Sequence, residues 1–165
     1  MIGKIAYFVC VCALPIAAVA DDFPKQGTAN YTDYSVLVAP RSMALGKAGS
    51  ITVYEVNGVS RNDDGNALFD NMAVRCLGES MTIGSDVSVR GACVQVDKDG
   101  DQIFVNYDYA TTVQSGAAGG TDHFVGGTGK YAGIAGKADF TRQIVKGPDG
   151  TIMLILPHHA AWATP

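Results

Sequence analysis

The sequence predicts an all-β protein made of eight antiparallel strands. Three segments, residues 62–66, 97–101 and 147–151, place Asp-Gly between extended runs, and this pairing is the strongest short-range signal for a β-hairpin. The runs between them alternate with the period of two that is typical of strands, and no stretch carries a helical stripe of useful length. Repeated hairpins indicate an antiparallel meander, which either closes into a barrel or stacks as a sandwich.

Side-chain alternation supports the strands one by one. In the second strand Glu55 shares a face with Ile51 and Val53, and in the fifth Tyr107 and Tyr109 lie on one face. The last strand is apolar throughout residues 152–156, which predicts burial on both faces or an outer face covered by a second copy of the chain. The predicted strands span residues 28–38, 50–60, 67–78, 87–96, 101–112, 120–126, 137–146 and 151–162.

Residues 1–20 are predicted to be a secretory signal peptide. Lys4 supplies the basic start, residues 5–17 supply the apolar core, and Ala18-Val19-Ala20 fits the small-x-small rule for cleavage. The apolar run contains Pro15 and is short for a membrane span of ~20 residues. We therefore expect cleavage near Ala20, export to the periplasm or the medium without stable membrane insertion, and a single domain over residues 21–165.

The charge and the cysteines narrow the class of protein. The formal net charge of −4 argues against nucleic acid or an anionic membrane as the main partner. Cys76 and Cys93 remain after export, and in an oxidising compartment an even pair in a small domain is most simply a disulfide. Free thiols or a metal site are the alternative, but no histidine lies near either cysteine in sequence and the spacing matches no zinc pattern.

The segment from Gly126 to Gly136 contains five glycines in eleven residues. Such a segment fits neither a regular helix nor a flat strand, so we expect a shaped link between two strands. Gly129-Lys130 suggests a phosphate-binding loop, but that pattern requires Gly at position 124 and Ser or Thr at 131, where the chain has Phe124 and Tyr131. Lys130 is therefore expected to be a solvated side chain.

The same segment carries a family resemblance. Phe124-Val125-Gly126-Gly127-Thr128-Gly129-Lys130-Tyr131, followed by Gly133-Ile134 and Gly136, resembles the Gly-Gly-Thr-Gly-aromatic stretch of the allene oxide cyclase and dirigent superfamily, and within it a group of small exported bacterial proteins. The resemblance implies a calycin-like, eight-stranded, up-and-down antiparallel β-barrel with an apolar interior, and favours the barrel over the sandwich. Such barrels bind or shape small hydrophobic molecules: in plants they cyclise a fatty-acid epoxide or steer phenoxy radical coupling. Family relatives form dimers and trimers.

Several polar segments have plainer interpretations than a catalytic or metal site. Asp97 to Asp101 looks like the start of a calcium loop, but Gly100 stands fourth rather than sixth and no Glu follows at the twelfth position, so we expect an exposed hairpin turn. His158 and His159 are adjacent on a strand and point to opposite faces, which argues against a shared metal site. We expect them to be polar residues near a strand end, with an acid or base role for one of them at neutral pH as the alternative. We expect no metal and no cofactor.

The candidate catalytic residues are polar side chains within strand runs that share a face with apolar neighbours. A buried carboxylate near an arginine or tyrosine would suit proton transfer or carbonyl polarisation in an apolar cavity. Glu55 is the first candidate, followed by Tyr107, Tyr109 and Arg142. No matching motif transfers the catalytic residues of the resembled family to these positions.

These observations favour an exported barrel that binds a small apolar molecule in its interior. One alternative is an isomerase or cyclase that shapes a reactive apolar substrate by confinement and orientation. Another is a structural module that forms homo-oligomers through its last strand.

Overall fold

The structure, a computed structural model, describes residues 23–65, 68–115 and 118–165 and forms a closed barrel of eight antiparallel strands. Each strand pairs with the next, and β8 pairs with β1, which closes the barrel. The predicted fold class is therefore confirmed. The strands are β1 (Gln26–Ala44), β2 (Gly49–Asn62), β3 (Met72–Ile83), β4 (Asp86–Val96), β5 (Gln102–Thr112), β6 (Ala118–Gly127), β7 (Ala135–Lys146) and β8 (Ile152–Ala163).

Three predicted strand boundaries are wrong by several residues: the end of β1 and both ends of β3, which ends at Ile83 rather than at residue 78. β1 continues to Ala44, past an irregularity in its pairing between Val38 and Arg41. β3 begins at Met72 rather than at residue 67 because the segment before it turns into the barrel. Phe69 in that segment is fully buried and has a φ of 58°, a left-handed conformation that is costly for a bulky residue. Burial of the ring offsets this cost, and Phe69 closes one end of the barrel.

The closed end of the barrel is filled by one hydrophobic cluster. It lies where the start of β1, the end of β8, the β2–β3 segment, the β4–β5 turn and the β6–β7 link meet. Phe69, Tyr31, Tyr131, Ile103 and Ile134 are each at most 2% exposed. Eight strands give an interior just wide enough to be filled by side chains or to hold one small ligand, and at this end side chains fill it.

The glycine-rich segment is the shaped link that the sequence predicted, with a single 3-10 turn (Gly129–Tyr131) between β6 and β7. It packs against the β4–β5 hairpin turn, where the predicted turn closes through the Asp97 amide and the Asp101 carbonyl at 3.0 Å. The expectation that Lys130 is solvated is wrong, because its ammonium lies 2.5 Å from a carboxylate oxygen of Asp97 and its side chain is only 30% exposed. A Cβ at position 129 would lie 1.8 Å from the Asp101 carboxylate, so only glycine fits there.

Cys76 and Cys93 form a disulfide, as predicted. They face each other directly across β3 and β4, and both side chains line the interior of the barrel. The bond joins two strands that are already neighbours in the ladder.

The outer face of β8 is apolar. Met153 lies between Val145 of β7 and Val36 of β1 in the pairing register, and these three residues are 37%, 40% and 38% exposed. The expectation that a second copy of the chain covers this face stays a prediction.

The predicted signal peptide, residues 1–20, lies outside the described residues, and the boundary of the predicted domain at residue 21 is likewise untested. Over the part of the chain that the structure does describe, no helix has the length and apolar character needed to cross a membrane.

We predict that replacing both cysteines, in a Cys76→Ser, Cys93→Ser variant, lowers the free energy of unfolding by about 3 kcal/mol, because the 17-residue separation no longer restricts the unfolded chain. Chemical denaturation followed by circular dichroism measures the change. Dithiothreitol should destabilise the unmodified protein and leave the double variant unaffected. Equal stability of the oxidised protein and the variant would contradict the prediction.

Candidate functional site

The half of the barrel nearest the β1–β2, β3–β4 and β7–β8 turns is not filled and contains a partly open cavity of about 270 Å³. This volume is close to the lower end, roughly 300 Å³, of small-molecule pockets. Its wall is made of inward-facing positions on the strands, spaced two residues apart as the pleat requires. The apolar part of the wall includes Leu37, Val56, Val89, Ile144, Leu154 and Leu156.

The floor of the cavity is a cluster of three titratable side chains from three strands. His158 of β8 places Nε2 at 3.2 Å from Oδ2 of Asp122 on β6 and at 4.0 Å from Oδ2 of Asp33 on β1. The side chains of His158, Asp33 and Asp122 are only 3%, 8% and 10% exposed. Buried charges are costly unless they are paired, so an imidazole between two carboxylates is the arrangement that such a floor requires.

A stack of rings beneath the floor holds His158 in place. The imidazole lies parallel to the Tyr31 ring, with 4.3 Å between ring centroids, and Tyr31 in turn stacks on Phe69 at 4.2 Å. The Phe140 ring contacts His158 from the side, at 5.4 Å. Phe69, whose left-handed backbone directs its ring into the barrel end, therefore also supports the floor of the cavity.

Burial and neighbouring charges shift the pKa values of the floor. For Asp33, burial outweighs the nearby imidazole, and with the repulsion of Asp122 it raises the pKa of the carboxyl to about 6. For His158, burial opposes the charge, but the hydrogen bond to Asp122 and the charges of both carboxylates outweigh it and raise the pKa of the imidazole. With a pKa of about 6, the Asp33 carboxyl changes its protonation state closer to neutral pH than an ordinary aspartate does.

Polar groups on the wall form two pairs above the floor. Arg142 of β7 donates a hydrogen bond from Nη1 to the hydroxyl of Tyr109 at 2.6 Å, and its buried Nε has no hydrogen-bond partner among the described residues. Burial raises the pKa of Tyr109 to about 12, so this hydroxyl keeps its proton. Tyr107 donates to the hydroxyl of Tyr54 at 3.1 Å, and burial raises the pKa of both phenols.

Two glycines keep the tyrosines against the wall. Gly78 and Gly91 lie directly opposite each other on β3 and β4. A Cβ at Gly78 would lie 2.1 Å from the Tyr107 hydroxyl oxygen, and one at Gly91 would lie 2.3 Å from the same atom. Because neither glycine has a side chain, Tyr107 lies flat over them and leaves the centre of the barrel open.

The structure brings three of the four sequence-predicted candidates together and separates the fourth. Tyr107, Tyr109 and Arg142 all line the cavity. The expected inward orientation of Glu55 is wrong, because its carboxylate lies on the outer surface, 2.9 Å from Nε of Arg75. Apolar residues occupy both faces of β2, and those beside Glu55, such as the 48% exposed Val53, are on the outside.

The residues of the floor were missed by the sequence analysis. We expected His158 to be a polar residue near a strand end, but it is buried inside the barrel. His159 points outward, with its Nδ1 at 2.8 Å from Oδ1 of Asn30. The available signal was alternation: His158 continues the inward series of Leu154 and Leu156. The alternation of β1 and of β6 likewise places Asp33 and Asp122 at inward positions.

The site can hold and release protons and can offer hydrogen-bond donors to a molecule in the apolar cavity. Within residues 23–65, 68–115 and 118–165, no group of three or more histidine, cysteine or carboxylate side chains is arranged to hold a metal ion.

The closed antiparallel barrel with an interior cup is a dirigent-like β-barrel fold. The chain is similar in structure to the pterocarpan synthase dirigent protein GePTS1, with 12% identity and a TM-score of 0.52 over 94% of this chain and 98% of that chain. It is also similar to the pterocarpan synthase dirigent protein PsPTS1, with 11% identity and a TM-score of 0.47 over 86% of this chain and 98% of that chain.

A third similar structure is a conserved protein of unknown function from Rhodopseudomonas palustris, with 10% identity and a TM-score of 0.49 over 84% of this chain and 99% of that chain. No protein-family model and no curated protein matches the chain. At 12% identity the similarity to GePTS1 shows a common fold and supports the resemblance seen in the glycine-rich segment at that level.

We predict that an Asp33→Asn variant loses a pH dependence of stability that the unmodified protein has. The folded-state pKa of Asp33 is raised from 3.8 to about 6, so the folded protein binds the proton more tightly than the unfolded chain does. That contribution to stability is complete below pH ~4 and is lost as the pH rises through about 6. Between pH 4.5 and 7 the stability of the variant relative to the unmodified protein should therefore rise by about 2 kcal/mol.

Urea denaturation at a series of pH values measures this difference, and Asp108→Asn, at a carboxylate that is 73% exposed, is the matched control. His158 acts in the same direction at higher pH, because its pKa is also raised. Parallel stability curves for Asp33→Asn and the unmodified protein would contradict the assigned shift.

Proposed function

We propose that the barrel binds a small, mainly apolar molecule that carries an oxygen acceptor and lies in the interior cavity. The observation that supports this proposal most is the unfilled half of the barrel, which is lined by apolar side chains but contains a guanidinium. A packed interior normally leaves few voids larger than a water molecule. A cavity of about 270 Å³ therefore implies a role for the space itself.

Arg142 indicates the kind of molecule. Its guanidinium donates a hydrogen bond to the neutral Tyr109 hydroxyl, and among the described residues Arg142 forms no ion pair with a carboxylate. Arg142 is partly buried, and removing a cation from water without an anionic partner costs free energy. A carbonyl, carboxylate or phenolic oxygen from a ligand would accept a hydrogen bond from the unpaired Nε. The apolar body of the ligand would then contact the Leu and Val side chains of the wall.

An isomerase or cyclase that shapes such a molecule is the second candidate function. The titratable floor favours it, because a site that only binds has no need of three buried ionisable side chains. The fold shared with a pterocarpan synthase dirigent protein is compatible with this candidate and does not specify a reaction.

We further propose that the chain works in an oxidising compartment after export. The Cys76–Cys93 disulfide supports this location, because such bonds persist mainly outside reducing cytosol.

We predict that 4-phenylbutan-2-one, a compact aryl ketone, binds with 1:1 stoichiometry and a negative heat-capacity change, which marks burial of apolar surface. Isothermal titration calorimetry at several temperatures measures both. A Val89→Trp variant should weaken binding at least 10-fold, because Val89 is 5% exposed and lines the cavity.

The matched control is Val125→Trp, which adds the same side chain at a position that is 57% exposed and should leave affinity unchanged. Binding that responds equally to both substitutions, or no saturable binding at all, would contradict the interior site.

A further inference from the structure

We propose that Asp33 is a general base, assisted by His158 and Asp122, that moves a proton between carbon atoms of a carbonyl compound held in the cavity. The protein would then catalyse a proton-shift isomerisation. This inference rests on the proposed ligand site and assigns to it a reaction class, a substrate class and a role for each side chain of the floor.

The two carboxylates of the floor are not equivalent. Asp122 accepts the hydrogen bond from Nε2 of His158 at 3.2 Å, whereas Asp33 lies further away, at 4.0 Å. Oδ1 of Asp33 is buried and has no hydrogen-bond partner among the described residues. A buried carboxylate oxygen without a partner is costly, and in this cavity the missing partner would be the ligand. Asp33 is therefore the group that meets the substrate, and Asp122 holds the imidazole.

His158 is a positioning residue for this base. Its ring is fixed by parallel stacking on Tyr31 at 4.3 Å, so its Nε2 stays between the two carboxylates. As a cation, His158 offsets the negative charge of the two carboxylates, and its Nε2–H donates a hydrogen bond to Asp122. Asp33 is then free to gain and lose a proton without leaving two unpaired negative charges in an apolar cavity.

The electron pair released by the substrate also has an acceptor in the cavity. The Phe140 ring contacts both His158, at 5.4 Å, and Tyr109, at 5.9 Å between centroids. Tyr109 and its partner Arg142 line the same cavity as the floor. The Tyr109 hydroxyl accepts from Arg142 and keeps its own proton to donate. Donors aimed at a carbonyl oxygen stabilise the enolate that forms when a proton leaves the adjacent carbon.

The reaction balances without an oxidant or a second reactant. The C–H bond next to the carbonyl breaks, its proton bonds to Oδ1 of Asp33, and the electron pair moves onto the carbonyl oxygen to give an enolate held by Arg142 and Tyr109. Asp33 then returns the proton. When the proton on Asp33 is first replaced by one from solvent, return to the same carbon gives hydrogen exchange, and return to a conjugated carbon shifts a double bond.

The test measures proton transfer directly with 4-phenylbutan-2-one as the probe. The ketone is incubated with the purified protein in D₂O, and NMR follows the loss of the protons beside the carbonyl. We expect exchange to be at least about 100-fold faster than in protein-free buffer, the usual scale of general acid–base catalysis. Asp33→Asn should abolish the acceleration while saturation-transfer NMR still detects the bound ketone.

The control and a second variant separate the roles. Glu55→Gln, at a carboxylate on the outer face, should exchange at the unmodified rate. His158→Gln should lower the rate and change its pH profile, because the charge of His158 lowers the pKa of Asp33. The groups that face Asp33 are His158 from β8 and Asp122 from β6. Tyr31 lies below, and Arg142 lies two positions from Phe140 on β7. In the unmodified protein the rate should rise as the pH passes through about 6, where Asp33 loses its proton.

Three results would overturn the inference in different ways. Binding without accelerated exchange in the unmodified protein would eliminate the base and leave the ligand site standing. Acceleration that survives Asp33→Asn would assign the reaction to another group. Absence of saturable binding would contradict the ligand site and the inference together.

Discussion

The stack of Phe69, Tyr31 and His158 divides the inside of the barrel into two halves. Below it, aromatic and aliphatic side chains fill the space between the strands, and above it the space is open. The left-handed backbone at Phe69 makes this possible, because it directs a bulky ring into the barrel end. The favourable contacts of the filled half offset that local cost. The rigidity of the floor, and hence the geometry of the cavity, depends on this stack.

The open half is maintained by residues that are small, or that lie flat against the wall. Gly78 and Gly91 receive the Tyr107 phenol, and the disulfide occupies the next inward positions on the same two strands. A fully packed interior would give a more stable protein, since each filled cavity adds contacts and each removed buried charge removes a desolvation cost. The chain instead combines an empty apolar space with buried Asp33, Asp122 and His158. This combination is the pattern of a functional site rather than of a structural core.

Much of the fold follows from local rules, and most of the site does not. Asp-Gly turns and alternation predict the number and order of the strands, and the alternation of β5 places Tyr107 and Tyr109 inside. For β2 the rule fails because both faces carry apolar residues, so that Glu55 was assigned to the wrong side. Burial of Phe69 depends on the closure of the whole barrel, so no local sequence pattern predicts this burial. The alternation of β8 predicts that His158 points inward. It does not predict that Asp33 of β1 and Asp122 of β6 lie beside it, because only closure of the barrel brings these strands, far apart in sequence, to one site.

The central claim is that the barrel is filled at one end and open at the other, with an apolar space that accepts a molecule. A crystal structure of the protein under xenon pressure tests it most directly, because xenon enters apolar cavities without needing a specific partner. We predict xenon above the His158 floor, in contact with Val56, Leu154 and their neighbours on the wall. A barrel without internal xenon, whose side chains meet across the upper half, would contradict the account.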